Sequence, residues 1–266
     1  MPANINNVSF MNGSNPSGKE TRRFQNMHKR LEAAIIDYNM INPGDHVIAG
    51  LSGGKDSSVL LKLLTRKKIQ TTNDFKLSSV FVKTGFEGDD RTAEYLRDYS
   101  FGLGVPFHIV ETDIYDRVIS KSDEKPCYMC SRGRRLAIFD LADKIGGNVI
   151  AFGHHRNDFI ETTLLNLFYS GSFQAMKPDN PFFGGKYRII RPMVYIDEKM
   201  ILAESEQSEV RTFPSECPFD STSERMFIKD IIKTVEKRNP DAVKNIFRAM
   251  YSPNPDYLLK KPSKNV

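Results

Sequence analysis

The chain has 266 residues, 39% of them apolar, and carries 38 Lys and Arg against 33 Asp and Glu for a formal charge of +5; that is enough for one large domain or a core with a smaller appendage. Mean hydropathy is −0.43 and no run approaches the roughly 18 consecutive apolar residues of a spanning helix, which excludes a helical membrane protein. The polar residues 1–20 lack the apolar run of a secretory signal, so a cytoplasmic location is expected, and the isoelectric point near 9.0 suits a polyanionic partner.

Along the chain, a polar tail at 1–20 precedes an amphipathic helix within 21–44. Phe24, Met27, Leu31, Ile35 and Tyr38 recur at three- and four-residue steps until Asn42-Pro43-Gly44 stops the pattern. Strands are then predicted at 46–51, 76–82, 107–110 and 148–152, with helices near 57–66, 91–101 and 132–145 between them. Such alternation implies an α/β fold, a parallel sheet with helices on both faces and ligands beyond the carboxyl ends of the strands. A last extended segment is expected at 188–193. Helices at 197–211, 224–237 and 241–251 follow without strands, so the core is placed at 45–195 and a C-terminal helical appendage with a basic tail at 196–266.

The loop Ser52-Gly53-Gly54-Lys55-Asp56-Ser57-Ser58 follows the first strand and opens a helix, so its N–H groups and the helix dipole can converge on phosphate. A Walker-type loop needs a Gly five residues before the Gly-Lys pair and a hydroxyl after the Lys. Here those positions are Ala49 and Asp56, which disfavours γ-phosphate transfer. The six residues Ser-Gly-Gly-Lys-Asp-Ser resemble instead the PP-loop of enzymes that attack the α-phosphate of ATP and expel pyrophosphate. In that chemistry Lys55 neutralises phosphate charge and Asp56 helps hold Mg²⁺.

Three cysteines are an odd set for disulfides, and a reducing compartment turns attention to metal or redox chemistry. Cys127 and Cys130 form a C-x-x-C pair, and Cys217 stands far along the chain in Cys-Pro-Phe-Asp. Three readings stand side by side: an iron–sulfur cluster with one iron lacking a protein ligand, a three-cysteine, one-histidine zinc site, or redox and structural thiols. Lys125, Arg132, Arg134 and Arg135 around the pair are either an RNA phosphate contact or a solvated helix face. Further on, Gly153-His154-His155-Arg156-Asn157-Asp158 lies at a strand's carboxyl end. Asp158 then opens a helix with Glu161 on nearly the same face, where both can face the nucleotide or Asp158 can be an ordinary N-terminal helix charge.

Together, the PP-loop, the Cys-x-x-Cys-Ser-Arg-x-Arg-Arg segment, the Gly-His-His turn and Cys-Pro-x-Asp resemble the tRNA 2-thiocytidine synthetase family over about residues 22 to 251. The resemblance implies a PP-loop, adenine nucleotide α-hydrolase-like core and a 4Fe–4S cluster on Cys127, Cys130 and Cys217. It also implies Mg²⁺ at Asp56, ATP held by residues 52–58 with Gly153 and His154, and Lys55, Asp56 and Asp158 as catalytic residues. The implied activity is adenylation of the C2 oxygen of tRNA cytidine 32 and its replacement by sulfur. Implied partners are tRNA and a sulfur donor such as a cysteine desulfurase, and a symmetric homodimer is an expected assembly. Two departures stand out: Asn157 occupies a position that is usually Asp, and no second C-x-x-C accompanies Cys217. Alternative functions are a 2-thiouridine synthetase with the same chemistry, or a non-catalytic RNA-binding protein stabilised by zinc.

Overall fold

The computed structural model describes residues 20–70, 75–120, 126–213 and 224–259; Lys125, Cys217 and the basic tail at 260–264 lie outside the described residues. Helix α1 (Arg22–Asp37) leads into β1 (His46–Leu51), α2 (Lys55–Gln70), β2 (Lys76–Lys83), α3 (Asp89–Gly102) and β3 (Phe107–Glu111). Then come α4 (Ile114–Ser120), α5 (Pro126–Ile145), β4 (Val149–Ala151), α6 (Arg156–Ser170), β5 (Asp179–Phe182) and β6 (Tyr187–Ile190). Helices α7 (Glu198–Gln207), α8 (Glu224–Arg238) and α9 (Ala242–Tyr251) complete the described chain.

The strands form one sheet in the order β3-β2-β1-β4-β6-β5, parallel except for β5, which pairs antiparallel with β6 at the edge. Because β2 and β3 extend from one side of β1 while β4 and β6 extend from the other, the order reverses between β1 and β4. A crevice opens beyond their carboxyl ends at such a reversal. The central parallel strands β1 and β4 are buried on both faces, as a covered sheet requires. Val47, Ala49 and Leu51 of β1 face a core shared with α1, α2, α3 and α7, while Ile48 faces a second core built with α4 and α5.

The expected strands and helices recur with shifted ends. Helix α5 begins at Pro126 instead of near 132, which places Cys127 and Cys130 among its first five residues. The segment expected at 188–193 pairs only as far as Ile190, since Pro192 cannot donate to a ladder. Helix α4 and the edge strand β5 had no clear signal; β5 is four residues long and includes Pro181. The division expected at 195/196 passes through the main core, where Ile196 and Ile201 are fully buried beside α1 and α2. The last two helices pack differently: Ile228, Ile232 and Val243 form a small cluster against Ile160 of α6.

Helix α1 is tied to the sheet layer by Met27 and Leu31, both without solvent exposure, and starts on a Thr21 cap whose hydroxyl accepts from the Phe24 N–H. Leu31→Ala should cost about 2–5 kcal/mol in urea unfolding; a loss below about 1 kcal/mol would show that α1 does not share the core.

Candidate functional site

The loop after β1 is wrapped on itself. The Ser52 N–H donates to Ser57 Oγ (3.1 Å), and that hydroxyl donates to the Gly54 carbonyl (3.0 Å). Gly53 sits at φ +80°, in the left-handed region, and a Cβ there would lie 2.8 Å from Thr92 Cγ2. Since the first N–H groups of a helix have no intrahelical partner, the opening of α2 presents donors and the positive end of its dipole to the crevice. Lys55 Nζ lies 3.3 Å from Asp56 Oδ1 and 3.5 Å from Glu198 Oε1. Burial opposes the Lys55 ammonium, but these two carboxylates outweigh it and hold its pKa above the ordinary lysine value.

The turn after β4 meets this loop through Gly153, where a Cβ would fall 2.9 Å from the Asp56 carbonyl carbon and 3.0 Å from the Ser57 nitrogen. Only glycine permits that approach. It brings the N-terminus of α6 beside that of α2. Asp158, in the first turn of α6, accepts from the His155 N–H through Oδ2 (2.8 Å), so one oxygen does cap the helix, while Oδ1 faces Arg225 Nη1 at 3.7 Å. Asp158 nevertheless lines the crevice. Glu161 does not: it is 2% exposed and turns to Arg225 and Lys229 of α8, at 3.6 and 3.8 Å. Asn157 accepts from the Glu198 N–H (3.3 Å), so the residue that departs from the usual Asp docks the start of α7.

The crevice is a cleft of about 440 Å³ whose floor is Gly50, Ser52, Asp56, Ser57 and Gly153, and whose wall is Ser131, Arg134, Arg135, His154, Asp158 and Arg191. A second lobe of about 260 Å³ lies toward α3, lined by Gly54, Thr84, Phe86, Asp89 and Phe213, and both lobes touch Ser52 and Arg134. The site thus unites Ser52, Asp56, Ser57, Gly153, His154 and Asp158 with Arg134 and Arg135. Arg132 points elsewhere, into a shallow groove with Ile114 and Met129. Two residues along a helix is a turn of about 200°, so the three arginines do not form one patch.

Cys127 is exposed and Cys130 half-buried beside the α4–α5 core. Standing three residues apart, they share a helix face. Ser131 and Arg134, four residues further, continue that face into the cleft. Two neighbouring thiols one turn before the cleft-lining Ser131 and Arg134 fit a partial thiolate grip on a metal centre. Among the described residues no three His, Cys, Asp or Glu side chains converge as a metal site. The segment carrying Cys217 is flanked by Phe213, whose N–H donates to the Gly53 carbonyl (3.1 Å), and by Arg225, which faces Asp158. Phe213 also lines the smaller lobe.

Four residues of the site carried no sequence signal: Arg191, Glu198, Arg225 and Lys229. Each comes from a segment distant from the motifs: Arg191 lines the cleft, while Glu198, Arg225 and Lys229 meet Lys55, Asp158 and Glu161 from behind it. Arg191 is held by the Lys177 carbonyl (2.6 Å), and burial, then the like charge of Arg135, lowers its pKa to about 10. Its Nε, together with Arg134 Nε and His154 Nδ1, is sealed from solvent without a hydrogen-bond partner. Such groups favour an anionic or acceptor-rich ligand.

Residues 21–235 match the PP-loop domain family named ATP_bind_3. The tRNA-cytidine(32) 2-sulfurtransferase of Nitrosospira multiformis is 35% identical to this chain, with 91% of this chain and 83% of the relative covered. That of Pelobacter propionicus is 35% identical with 91% and 90% covered, and that of Shewanella amazonensis 38% identical with 90% and 76%. The fold is similar to that of the U34-tRNA thiolase NcsA from Methanococcus maripaludis, solved with its 4Fe–4S cluster, at a TM-score of 0.72 and 23% identity over 86% of this chain and 78% of that one.

Gly153→Ala should cost about 1–3 kcal/mol through overpacking against α2, and an unchanged urea midpoint would contradict the contact. His154 gives a pH test. Burial, then Arg191, lowers its pKa from 6.5 to about 4, so the unfolded chain binds a proton between those pH values that the folded chain refuses. Stability should fall as pH drops from 6.5 to 4, and His154→Gln should flatten that part of the profile; parallel profiles would refute it.

Proposed function

The chain belongs to the PP-loop family and, within it, to the tRNA-cytidine(32) 2-sulfurtransferases, and from that membership we propose that it is an ATP-dependent tRNA thiolase converting cytidine 32 to 2-thiocytidine. The observation that carries the reading is the meeting of three elements at one strand-order reversal: the loop 52–54 with Lys55 and Asp56, the turn 153–158, and the helix that bears Cys127 and Cys130.

In this reading the cytidine leaves its stack to reach the cleft, since its C2 oxygen is otherwise covered. The loop N–H groups at residues 52–58 and Lys55 hold the phosphates where charge gathers on the departing pyrophosphate. The C2 oxygen attacks the α-phosphorus, the bond to the bridging oxygen of pyrophosphate breaks, and AMP stays on the base. Asp56, a third exposed and beside the phosphate loop, suits Mg²⁺, which when bound supplies Lewis-acid neutralisation. Asp158, with His154 and Gly153 on the same turn, orients the base and nucleotide from the α6 side, while Arg134 and Arg191 face the anionic groups.

Cys127, Cys130 and Cys217 are the residues that would hold a 4Fe–4S cluster, which when bound supplies the sulfur that replaces the adenylated oxygen as AMP leaves. Their thiolate chemistry fits that group. Lys125, Arg132 and Arg135 are proposed tRNA phosphate contacts, the two arginines standing on different sides of α5. A sulfur donor of the cysteine desulfurase class and a homodimer complete the proposal.

With tRNA and ATP supplied, the wild-type protein should release pyrophosphate. Lys55→Ala and Asp56→Ala should lower that rate at least about 100-fold with unchanged iron content; retained release in both would refute the loop assignment. Cys217→Ser should lose iron after anaerobic purification yet bind ATP as before. Full iron content in that variant would remove Cys217 from the ligand set.

A further inference from the structure

A circuit of seven acidic and basic side chains, closed by the His155 imidazole, runs behind the cleft and joins four helices. Lys55 lies 3.5 Å from Glu198 Oε1, and Lys229 Nζ lies 3.9 Å from the same oxygen. Lys229 is also 3.8 Å from Glu161 Oε1, and Arg225 reaches Glu161 Oε2 (3.6 Å) and Asp158 Oδ1 (3.7 Å). His155 closes the ring, 3.4 Å from Asp158 Oδ2 and 3.7 Å from Asp56 Oδ1, and Asp56 returns to Lys55 at 3.3 Å. The participants come from α2, α6 with its cap, α7 and α8, so no two adjacent turns of one helix suffice to build it.

Two features make this circuit more than surface pairing. Glu161 is 2% exposed and its Oε2 is buried without a hydrogen bond; burial outweighs the two α8 cations and pushes its pKa up to about 7, so its ionised form depends on those cations. Glu198 Oε1 is shared between two ammonium groups that repel each other, one of which belongs to the phosphate loop. Nucleotide phosphates that drew Lys55 away would leave Glu198 to Lys229 alone and lower the repulsion between the two lysines.

We infer that Arg225 and Lys229 are positioning residues of the ATP site: Arg225 fixes the second oxygen of Asp158, and Lys229 couples phosphate occupancy at Lys55 to the docking of α8 on α6 and α7. The inference rests on the proposed ATP-binding loop. It gives α8, exposed on its outer face, a state that depends on the nucleotide. Lys233, one turn further along α8, pairs with Asp230 and, among the described residues, stands outside the circuit.

The test is amide hydrogen exchange over 224–238 in the full-length, anaerobically prepared protein, with and without saturating α,β-methylene-ATP, whose binding is followed by calorimetry. The analogue should slow exchange of α8 by about five-fold or more in the wild type. Lys229→Met should remove the slowing, Lys229→Arg should restore most of it, and Lys233→Met should behave as the wild type. Binding of the analogue with no change in α8 would overturn the coupling alone, as would protection that persists in Lys229→Met. Absence of any binding heat in the wild type would overturn the ATP reading and this inference with it.

Discussion

The approach of the Gly153 backbone to Asp56 and Ser57 is the contact on which the cleft depends. It holds two helix N-termini, those of α2 and α6, against each other at the reversal of strand order. Each terminus carries roughly half a positive charge, and Arg134, Arg135 and Arg191 add three whole ones. Such a concentration of positive charge needs anions. Within the protein, Asp56 and Asp158 offset part of it, and the phosphates of a nucleotide offset the rest more completely.

The same convergence explains why the site is two-lobed. The loop 52–54 forms the ridge between a lobe toward α3, closed by Phe213, and a larger lobe toward α5 and Arg191. An adenylation reaction needs such a plan, because nucleotide and acceptor must meet at one phosphorus without occupying the same volume. The face of α5 that carries Cys127 and Cys130 runs toward the larger lobe through Ser131 and Arg134.

The sheet and the phosphate loop were legible because local rules determine them. Apolar runs such as His46–Leu51 and Lys76–Val82 can only be covered strands, and Ser-Gly-Gly-Lys-Asp-Ser between strand and helix leaves few chemical uses. The turn 153–158 was legible as a motif, but not the reason for its glycine, which lies in a contact with residues almost a hundred positions earlier. Arg132, Arg134 and Arg135 read as one basic group because they are adjacent in sequence; helix rotation separates them. Glu161 read as a cleft residue by its spacing from Asp158, yet α8 covers it. Long-range charge partners such as Arg191, Glu198 and Lys229 leave no periodic trace, so only the folded arrangement exposes them.

The central claim, that this cleft serves base thiolation at a tRNA cytidine, is tested most directly by mass spectrometry of nucleosides from total tRNA of a strain lacking the protein, with and without the wild-type chain restored. The account predicts that 2-thiocytidine disappears in the deletion and returns on restoration, while 2-thiouridine derivatives stay constant. Unchanged 2-thiocytidine in the deletion strain, or a loss confined to 2-thiouridine derivatives, would contradict it.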